Sequence, residues 1–309
     1  MANSTAFLGC SHAYSDTIEN LKYFGQLLYL VPSFLLIARM IFVINVKYND
    51  DYNDHNIFWG FYSIDLLLSF FNLFLDIFYY RLSLFVPQIC ETFSFFLRAN
   101  PLLIHFSFPL WYYFHAGKMV TQCILCLERM SFNLMPISGY RKLWKKFSSY
   151  AEILVFTFPF TLIWNIIISD KYIQFYYGGF QPNYARRVNW FGTTAWQLSY
   201  MQISMGITLI TNLITSYHHI QNGNPGILCK TWCLISGAYL FFGSIFCFFH
   251  MKSFDFEYQN IVFITVFFIW DGFNILNPLI MIVMYRQLRK QVFWRNEDDE
   301  EHVIVIRRI

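Results

Sequence analysis

The chain has 309 residues, of which 56% are hydrophobic, 22% are aromatic and only 13% are charged. A soluble globular domain carries about 25% charged residues, so this deficit indicates a protein that is solvated largely by lipid. The formal net charge of +3 is too small to indicate a nucleic-acid partner. Composition therefore favours a membrane protein over a soluble protein or a nucleic-acid-binding protein.

Seven apolar stretches are each long enough to cross a bilayer as a helix. A hydrocarbon core of about 30 Å needs about 20 mostly apolar helical residues. In chain order the stretches are Phe24–Val46, Ile57–Tyr79, Leu102–Leu127, Tyr150–Ile168, Thr193–Thr215, Ile227–Phe249 and Ile261–Tyr285. We predict an all-α polytopic membrane protein, a bundle of seven transmembrane helices.

No segment outside these stretches is long enough for a second domain. Residues 1–23 precede the bundle, residues 24–285 form it, and residues 286–309 follow as a tail. The first segment lacks the apolar core and small-residue cleavage site of a signal peptide. We therefore expect the first span to act as an uncleaved anchor that directs membrane insertion.

The distribution of basic residues predicts the orientation, because cytoplasmic loops carry an excess of Lys and Arg. With the N-terminus outside, the cytoplasmic segments hold 13 Lys and Arg residues and the outer segments hold seven. The sequon Asn3-Ser4-Thr5 lies on the predicted outer side, where Asn3 could carry a glycan, although sequons are also common by chance. Both observations favour an external N-terminus and a cytoplasmic C-terminus.

Two cysteines lie in the predicted external segments. Cys10 and Cys90 face the oxidising side, where they either pair with each other or remain free or differently paired. Cys247, near the outer end of the sixth span, is a third candidate. The external loop of residues 169–192 has no Cys, so a disulfide from the third helix to that loop is impossible.

Four ionisable residues lie well inside the predicted spans: Arg39, Asp65, Lys118 and Asp271. A charge near the bilayer centre is costly, so such residues usually face the bundle and pair. Arg39 and Asp65 lie at similar depths, about 10 and 12 Å from the inner ends of the first two helices. We therefore expect an Arg39–Asp65 pair. The four charges form either a clamp that fixes helix order, which we favour, or a polar switch or ion path.

The tripeptide Glu128-Arg129-Met130 closes the third span at its inner end. A carboxylate beside an Arg can hold that Arg until a partner or a helix movement releases it, as in an ionic latch beside a coupling surface. The alternative is an Arg that anchors the helix end at the lipid headgroups. Lys145 and Lys146 add positive charge to the same face, either for coupling or as lipid anchors.

The run from Leu127 to Pro136 and the Trp144-Lys145-Lys146 segment after it resemble the nematode serpentine chemoreceptors of the gamma class. Shorter similarities extend over nearly the whole chain. They are Leu30-Val31-Pro32-Ser33 with Arg39-Met40-Ile41, Ser63-Ile64-Asp65-Leu66, Arg81-Leu82 with Pro87, Asp271 with Pro278-Leu279-Ile280-Met281, and Arg289-Lys290-Gln291-Val292. Glu128 departs from the family, in which His or Asn more often precedes the Arg, so the latch would be specific to this chain.

The resemblance implies a seven-helix chemosensory receptor in the plasma membrane of a sensory cilium. Such a receptor would bind a small odorant or pheromone-like molecule and signal through a heterotrimeric G protein. The resemblance implies no enzymatic activity, so we expect no catalytic residue, metal or cofactor. The identity of the ligand and the oligomeric state do not follow from the residues.

Aromatic residues and one Gln in the outer halves of the helices form the predicted ligand site. They are Trp111, Tyr112, Tyr113 and His115 in the third span, and Trp196, Gln197 and Tyr200 in the fifth. Rings with a few polar tips suit a small, mostly apolar molecule. In a chain this rich in rings the same residues also serve to pack the bundle.

A small membrane transporter is the main alternative function, since some carriers are built from repeated helical units. The first three and last three spans show no corresponding Gly- or Pro-broken segments, which disfavours a carrier. The eight His residues form no HExxH, HxxxH or HxxHH motif, which disfavours a membrane metalloenzyme. The seventh span has no Lys for a retinal Schiff base.

Overall fold

A computed structural model describes residues 10, 15–47, 57–176, 178–222, 227–251 and 259–293 of the chain. The predicted glycosylation site at Asn3 and the part of the tail beyond residue 293 lie outside the described residues. The elements in chain order are α1 (Asp16–Lys47), α2 (Ile57–Leu75), a π-helical turn (Asp76–Arg81), α3 (Leu82–Phe85), a 3-10 turn (Pro87–Ile89), α4 (Cys90–Ala99), α5 (Pro101–Leu134), α6 (Ile137–Thr157), α7 (Phe160–Ile168), β1 (Asp170–Tyr176), β2 (Gly179–Ala185), α8 (Thr193–Asn222), α9 (Ile227–Met251), α10 (Gln259–Met284) and α11 (Arg286–Phe293).

These elements confirm the predicted seven-helix bundle. The seven long helices are α1, α2 with its continuation into α3, α5, α6 with α7, α8, α9 and α10. Among the described residues, five of them are long and apolar enough to be recognised as membrane spans by composition alone. The other two, α5 and α8, carry more polar residues, and many of these, including Lys118, Gln122 and Thr208, are buried. These buried polar residues therefore face protein and not lipid, as the cost of exposing them to hydrocarbon requires.

The fourth long helix is interrupted at Pro159. Helix α6 ends at Thr157 and α7 begins at Phe160, because Pro has no backbone N–H to donate and its ring clashes with the preceding turn. The hydroxyl of Tyr113 on α5 donates to the backbone oxygen of Phe156 just before this break, at 2.8 Å. The interruption therefore lies against the third long helix.

The loop between α7 and α8 forms an antiparallel β-hairpin, which the sequence did not predict. Its turn contains Gly178, whose φ of 90° is a conformation that favours glycine. A Cβ on Gly179 would lie 2.3 Å from the backbone oxygen of Leu84, so a larger residue would push β2 away from α3. Phe180 follows and is fully buried. The hairpin therefore covers one end of the bundle, here called the hairpin end; the opposite end, where α11 lies, is called the α11 end.

A disulfide joins Cys10 to Cys90, the first residue of α4, with Cα atoms 6.1 Å apart. This is one of the two arrangements that the sequence left open. Cys247 is buried and free. The bond ties the segment before α1 to the hairpin end of the bundle.

Replacing Cys10 with Ser is expected to destabilise the protein by about 2–4 kcal/mol, because the bond closes a long loop in the unfolded chain. The two half-cystines are 80 residues apart. The thermal midpoint of the purified protein measures the effect, and Cys233→Ser, at an exposed free cysteine, is the matched control. A Cys10→Ser midpoint equal to that of Cys233→Ser would contradict a stabilising disulfide.

Candidate functional site

Three groups of polar residues, one of which includes an aromatic ring in contact with its Arg, lie inside the bundle at successive levels. We call them the hairpin-side cluster (Gln26, Tyr29, Arg81 and Asp271), the middle cluster (Asp65, Ser69, Lys118 and Asn277) and the α11-side cluster (Phe58, Glu128, Arg129 and Tyr140). Each cluster is built around one ion pair that is at most 8% exposed on either side chain. Together they connect five of the seven long helices.

The hairpin-side cluster is centred on Arg81, whose side chain is fully buried. One guanidinium nitrogen lies 2.5 Å from Asp271 Oδ1, and the other donates to Gln26 Oε1 at 2.5 Å. The hydroxyl of Tyr29 donates to the second oxygen of Asp271, at 2.5 Å. The guanidinium also lies 4.8 Å from the ring centre of Phe267. Arg81 thereby links α1, α2 and α10.

A local change in helix geometry turns Arg81 inward. In the π-helical turn Asp76–Arg81, residues five apart lie one turn apart, so Asp76 and Arg81 both face the interior. Trp111 Nε1 donates to Asp76 Oδ1 at 2.7 Å. The predicted second span ends at Tyr79 and leaves Arg81 outside it, among the seven basic residues of the outer segments. This assignment is wrong, because the second long helix continues past Tyr79 to Phe85.

The middle cluster joins α2, α5 and α10. Lys118 Nζ lies 2.8 Å from Asp65 Oδ2 and donates to Ser69 Oγ at 2.5 Å. Asn277 Nδ2 donates to the same carboxylate oxygen at 2.7 Å. Two of the four predicted intramembrane charges, Asp65 and Lys118, thus neutralise each other.

The expected Arg39–Asp65 pair is wrong. Matching depth was not sufficient, because the two side chains point in different directions around their helices: Asp65 faces α5 and α10, whereas Arg39 is exposed on α1. Arg39 Nε instead donates to the backbone oxygen of Val292 in the last turn of α11, at 3.4 Å. Asp271 pairs with Arg81, so three of the four charges are buried in ion pairs.

The α11-side cluster surrounds Arg129 at the end of α5. Arg129 Nε lies 2.8 Å from Glu128 Oε2, in a geometry that is an ion pair but not an aligned hydrogen bond. Tyr140 on α6 donates to the other oxygen of Glu128 at 2.5 Å. The guanidinium lies 3.6 Å from the ring centre of Phe58 on α2. Arg129 is therefore held inside the bundle, while Lys145 and Lys146 are exposed on α6.

The structure brings together only part of the predicted ligand site. Trp111 and His115 are in tilted contact with ring centres 4.2 Å apart, and the ring of His115 meets that of Trp270 on α10 edge-to-face, with ring centres 3.8 Å apart. Tyr112 packs beside Trp111, with ring centres 4.9 Å apart. Gln197 is also buried.

Three of the predicted ligand residues serve packing between helices. Tyr200 is buried and bonds the hydroxyl of Thr161 on α7. Trp196 is 41% exposed and stacks on Phe191, and Tyr113 contacts the break in the fourth helix. These three therefore contact neighbouring helices and the loop before α8.

A small cavity lies between α5, α9 and α10, with room for about one water molecule. Its polar lining comes from Lys118, Gln122, Tyr239 and Asn277. None of the seven predicted ligand residues lines it. The cavity is thus an extension of the middle cluster and not a ligand pocket of ordinary size.

Sequence reasoning missed Arg81, Trp270 and Asn277 as interior residues. One signal was present for Arg81: the apolar run from Ile77 to Phe85 continues the second span with a single charge in it. Nothing local distinguished Trp270 from the other aromatic residues of the chain.

Comparison with known proteins identifies the family. The family model for Srg family chemoreceptors matches residues 23–292, a range that includes all three clusters. The chain belongs to this family. It is 58% identical to serpentine receptor class gamma-6 of Caenorhabditis elegans over 305 residues, which cover 97% of this chain and 98% of that receptor.

Two further receptors of the same organism are also similar over most of their length. Serpentine receptor class gamma-8 is 33% identical, over 93% of this chain and 90% of its own, and class gamma-4 is 32% identical, over 93% and 92%. The predicted gamma-class relationship is confirmed. The protein is an integral multi-pass membrane protein of a chemoreceptor family, which is not an enzyme family.

Proposed function

We propose that the receptor binds a small molecule at the hairpin end and signals through a heterotrimeric G protein at the α11 end. The observation that carries this proposal is the similarity to class gamma serpentine receptors over nearly the whole chain. The three clusters support it, because residues of α5 and α10 take part in ion pairs or hydrogen bonds at successive levels of the bundle. A displacement of either helix at one end would disturb contacts further along it.

We place the hairpin end outside the cell, in the plasma membrane of a sensory cilium. Disulfides persist on the oxidising side of a membrane, and the Cys10–Cys90 bond lies at the hairpin end. The basic residues support the same orientation: without the buried Arg81 and Arg129, six remain on the outer side and 12 on the cytoplasmic side.

The proposed ligand site is the interior of the hairpin end, around Trp111, His115 and Trp270. These rings belong to α5 and α10, the helices that also carry Lys118 and Asp271. A small apolar ligand that changed the packing of these rings would therefore act directly on helices held by ion pairs. Interfaces of this kind have discrete arrangements, which is what a switch requires.

The α11-side cluster is the proposed latch for coupling. Glu128 and the ring of Phe58 hold Arg129, and Tyr140 holds Glu128. Movement of α5 relative to α6 would separate Glu128 from Tyr140 and free Arg129 to contact a partner at the α11 end. Lys145 and Lys146, exposed beside it, would add positive charge to that coupling face.

Replacing Tyr140 with Phe is expected to raise ligand-independent signalling. It removes a hydrogen bond to a buried carboxylate, worth about 1.5–3 kcal/mol, or at least tenfold in the latch equilibrium. The measurement is basal second-messenger level at matched surface expression. Tyr150→Phe, on the exposed face of α6, is the control. Basal signalling equal in the two variants would argue against a latch.

Expression of the tagged chain in ciliated sensory neurons tests the receptor function itself. We expect at least one stimulus of an odorant panel to evoke a second-messenger change that untransfected cells lack. Uptake of a solute by expressing cells, with no second-messenger response to any stimulus, would contradict the proposal and favour a carrier.

A further inference from the structure

We propose that the junction of α1 and α11 binds the headgroups of anionic phospholipids. The site is formed by Arg39 on α1 and by Arg286 and Lys290 on α11, here called the junction site. It is independent of the ligand and of G-protein coupling.

Helix α11 is held against the bundle by one face. Only Tyr285 separates it from the end of α10, and the side chains of Leu288 and Val292 are buried in the same core as α1 and α2. Arg286, Arg289 and Lys290 lie on the exposed face. A short helix that directly follows a membrane span, with one apolar and one basic face, is suited to the headgroup layer.

Arg39 places a further positive charge at the same junction. It is exposed on a helix that crosses the membrane, about 12 Å before α1 ends at Lys47. Its Nε donates to Val292 at the C-terminal end of α11, where helix carbonyls attract positive charge. A long basic side chain at this depth extends toward the membrane–water interface, and the planar guanidinium can donate two hydrogen bonds to one phosphate.

Apolar side chains flank these charges. Phe42 lies beside Arg39, with the guanidinium 5.5 Å from its ring centre, and is 56% exposed; Phe293, the last residue of α11, is 59% exposed. Exposed rings next to basic side chains match the boundary between acyl chains and headgroups. Residues 286–293 include no acidic residue, so the complementary partner is an anion. These features favour a lipid over an acidic protein as the occupant.

The test compares the lipids retained by the full-length receptor. The receptor is extracted from membranes of phosphatidylcholine and phosphatidylserine, and native mass spectrometry counts each lipid bound. We expect the wild type to retain phosphatidylserine preferentially. The triple variant Arg39→Gln/Arg286→Gln/Lys290→Gln should lose this preference, by about fivefold for each residue neutralised near the surface.

Two further variants separate charge from folding. Lys171→Gln/Arg186→Gln/Arg187→Gln removes three basic residues at the hairpin end and should retain the preference. The exchange Arg286→Lys/Lys290→Arg keeps a positive charge at both positions and should also retain the preference. The proposal would be overturned if the hairpin-end variant lost the preference as strongly as the triple variant, or if the wild type showed no preference. It would also be overturned if inorganic phosphate displaced phosphatidylserine from the wild type as well as the lipid itself does.

Discussion

Replacing Arg81 with Met is expected to remove most of the receptor from the cell surface. The substitution leaves the carboxylate of Asp271 buried with Tyr29 as its remaining hydrogen-bond donor and without a counter-charge. Breaking a buried pair from one side costs about 3–5 kcal/mol, a large part of the 5–15 kcal/mol by which domains are typically stable. Surface labelling of an epitope-tagged receptor, relative to total protein, measures the loss.

The double variant Arg81→Met/Asp271→Leu distinguishes an ion pair from simple packing. Removing both charges leaves neither member of the pair without its counter-charge, whereas the buried Asp76 still loses Arg81 as a nearby cation, so we expect surface expression to recover in part. Arg81→Lys keeps the charge but not the fork that reaches both Gln26 and Asp271, and should be intermediate. Wild-type surface expression of Arg81→Met would show that the pair has no structural role.

Replacing Lys118 with Met is expected to have an effect of similar size, again about 3–5 kcal/mol. Asp65 would keep its bond from Asn277 but lose its counter-charge. The reciprocal change, Asp65→Asn, should also trap the protein inside the cell, because it leaves the Lys118 ammonium buried without an anion. The fraction of each single variant that is retained inside the cell measures the loss of surface delivery. Thermal unfolding of the protein that can be purified measures the loss of stability.

Two controls test the pairing itself. Lys118→Met/Asp65→Leu should recover surface expression relative to either single variant. Arg39→Met should leave surface delivery close to that of the wild type, because Arg39 lies away from Asp65 and bonds α11 instead. If Arg39→Met caused the loss and Lys118→Met did not, the middle cluster as described would be incorrect.

The seven helices could be predicted because apolar length depends only on local sequence. This holds even for α5, which contains Lys118 and Gln122, because the stretch Leu102–Leu127 is long enough and mostly apolar. The need of a charged residue in a span for a partner also follows from local sequence, and three of the four such residues are buried in ion pairs. Each of these conclusions needed only the sequence of a single helix.

The pairings could not be predicted, because they depend on rotation and neighbours and not only on depth. Asp65 and Arg39 matched in depth, yet Asp65 faces Lys118. Arg81 faces inward because of a π-helical turn, and no local feature of the sequence predicts that turn. The hairpin depends on close approach of Gly179 to α3, a tertiary contact. The same reason applies to Tyr113 and Trp196 of the predicted ligand site, which lie on faces that meet other elements.

Determining which end of the bundle faces the outside of the cell is the most direct test of the proposed function. The side of ligand entry, the disulfide and the coupling latch all depend on this orientation. One epitope is inserted in the hairpin turn at Gly178 and another after Phe293, in separate tagged receptors expressed in intact cells. We predict that antibody labels the hairpin epitope without permeabilisation and the other epitope only after it. Labelling of the epitope after Phe293 on intact cells, with the hairpin epitope hidden, would contradict the account.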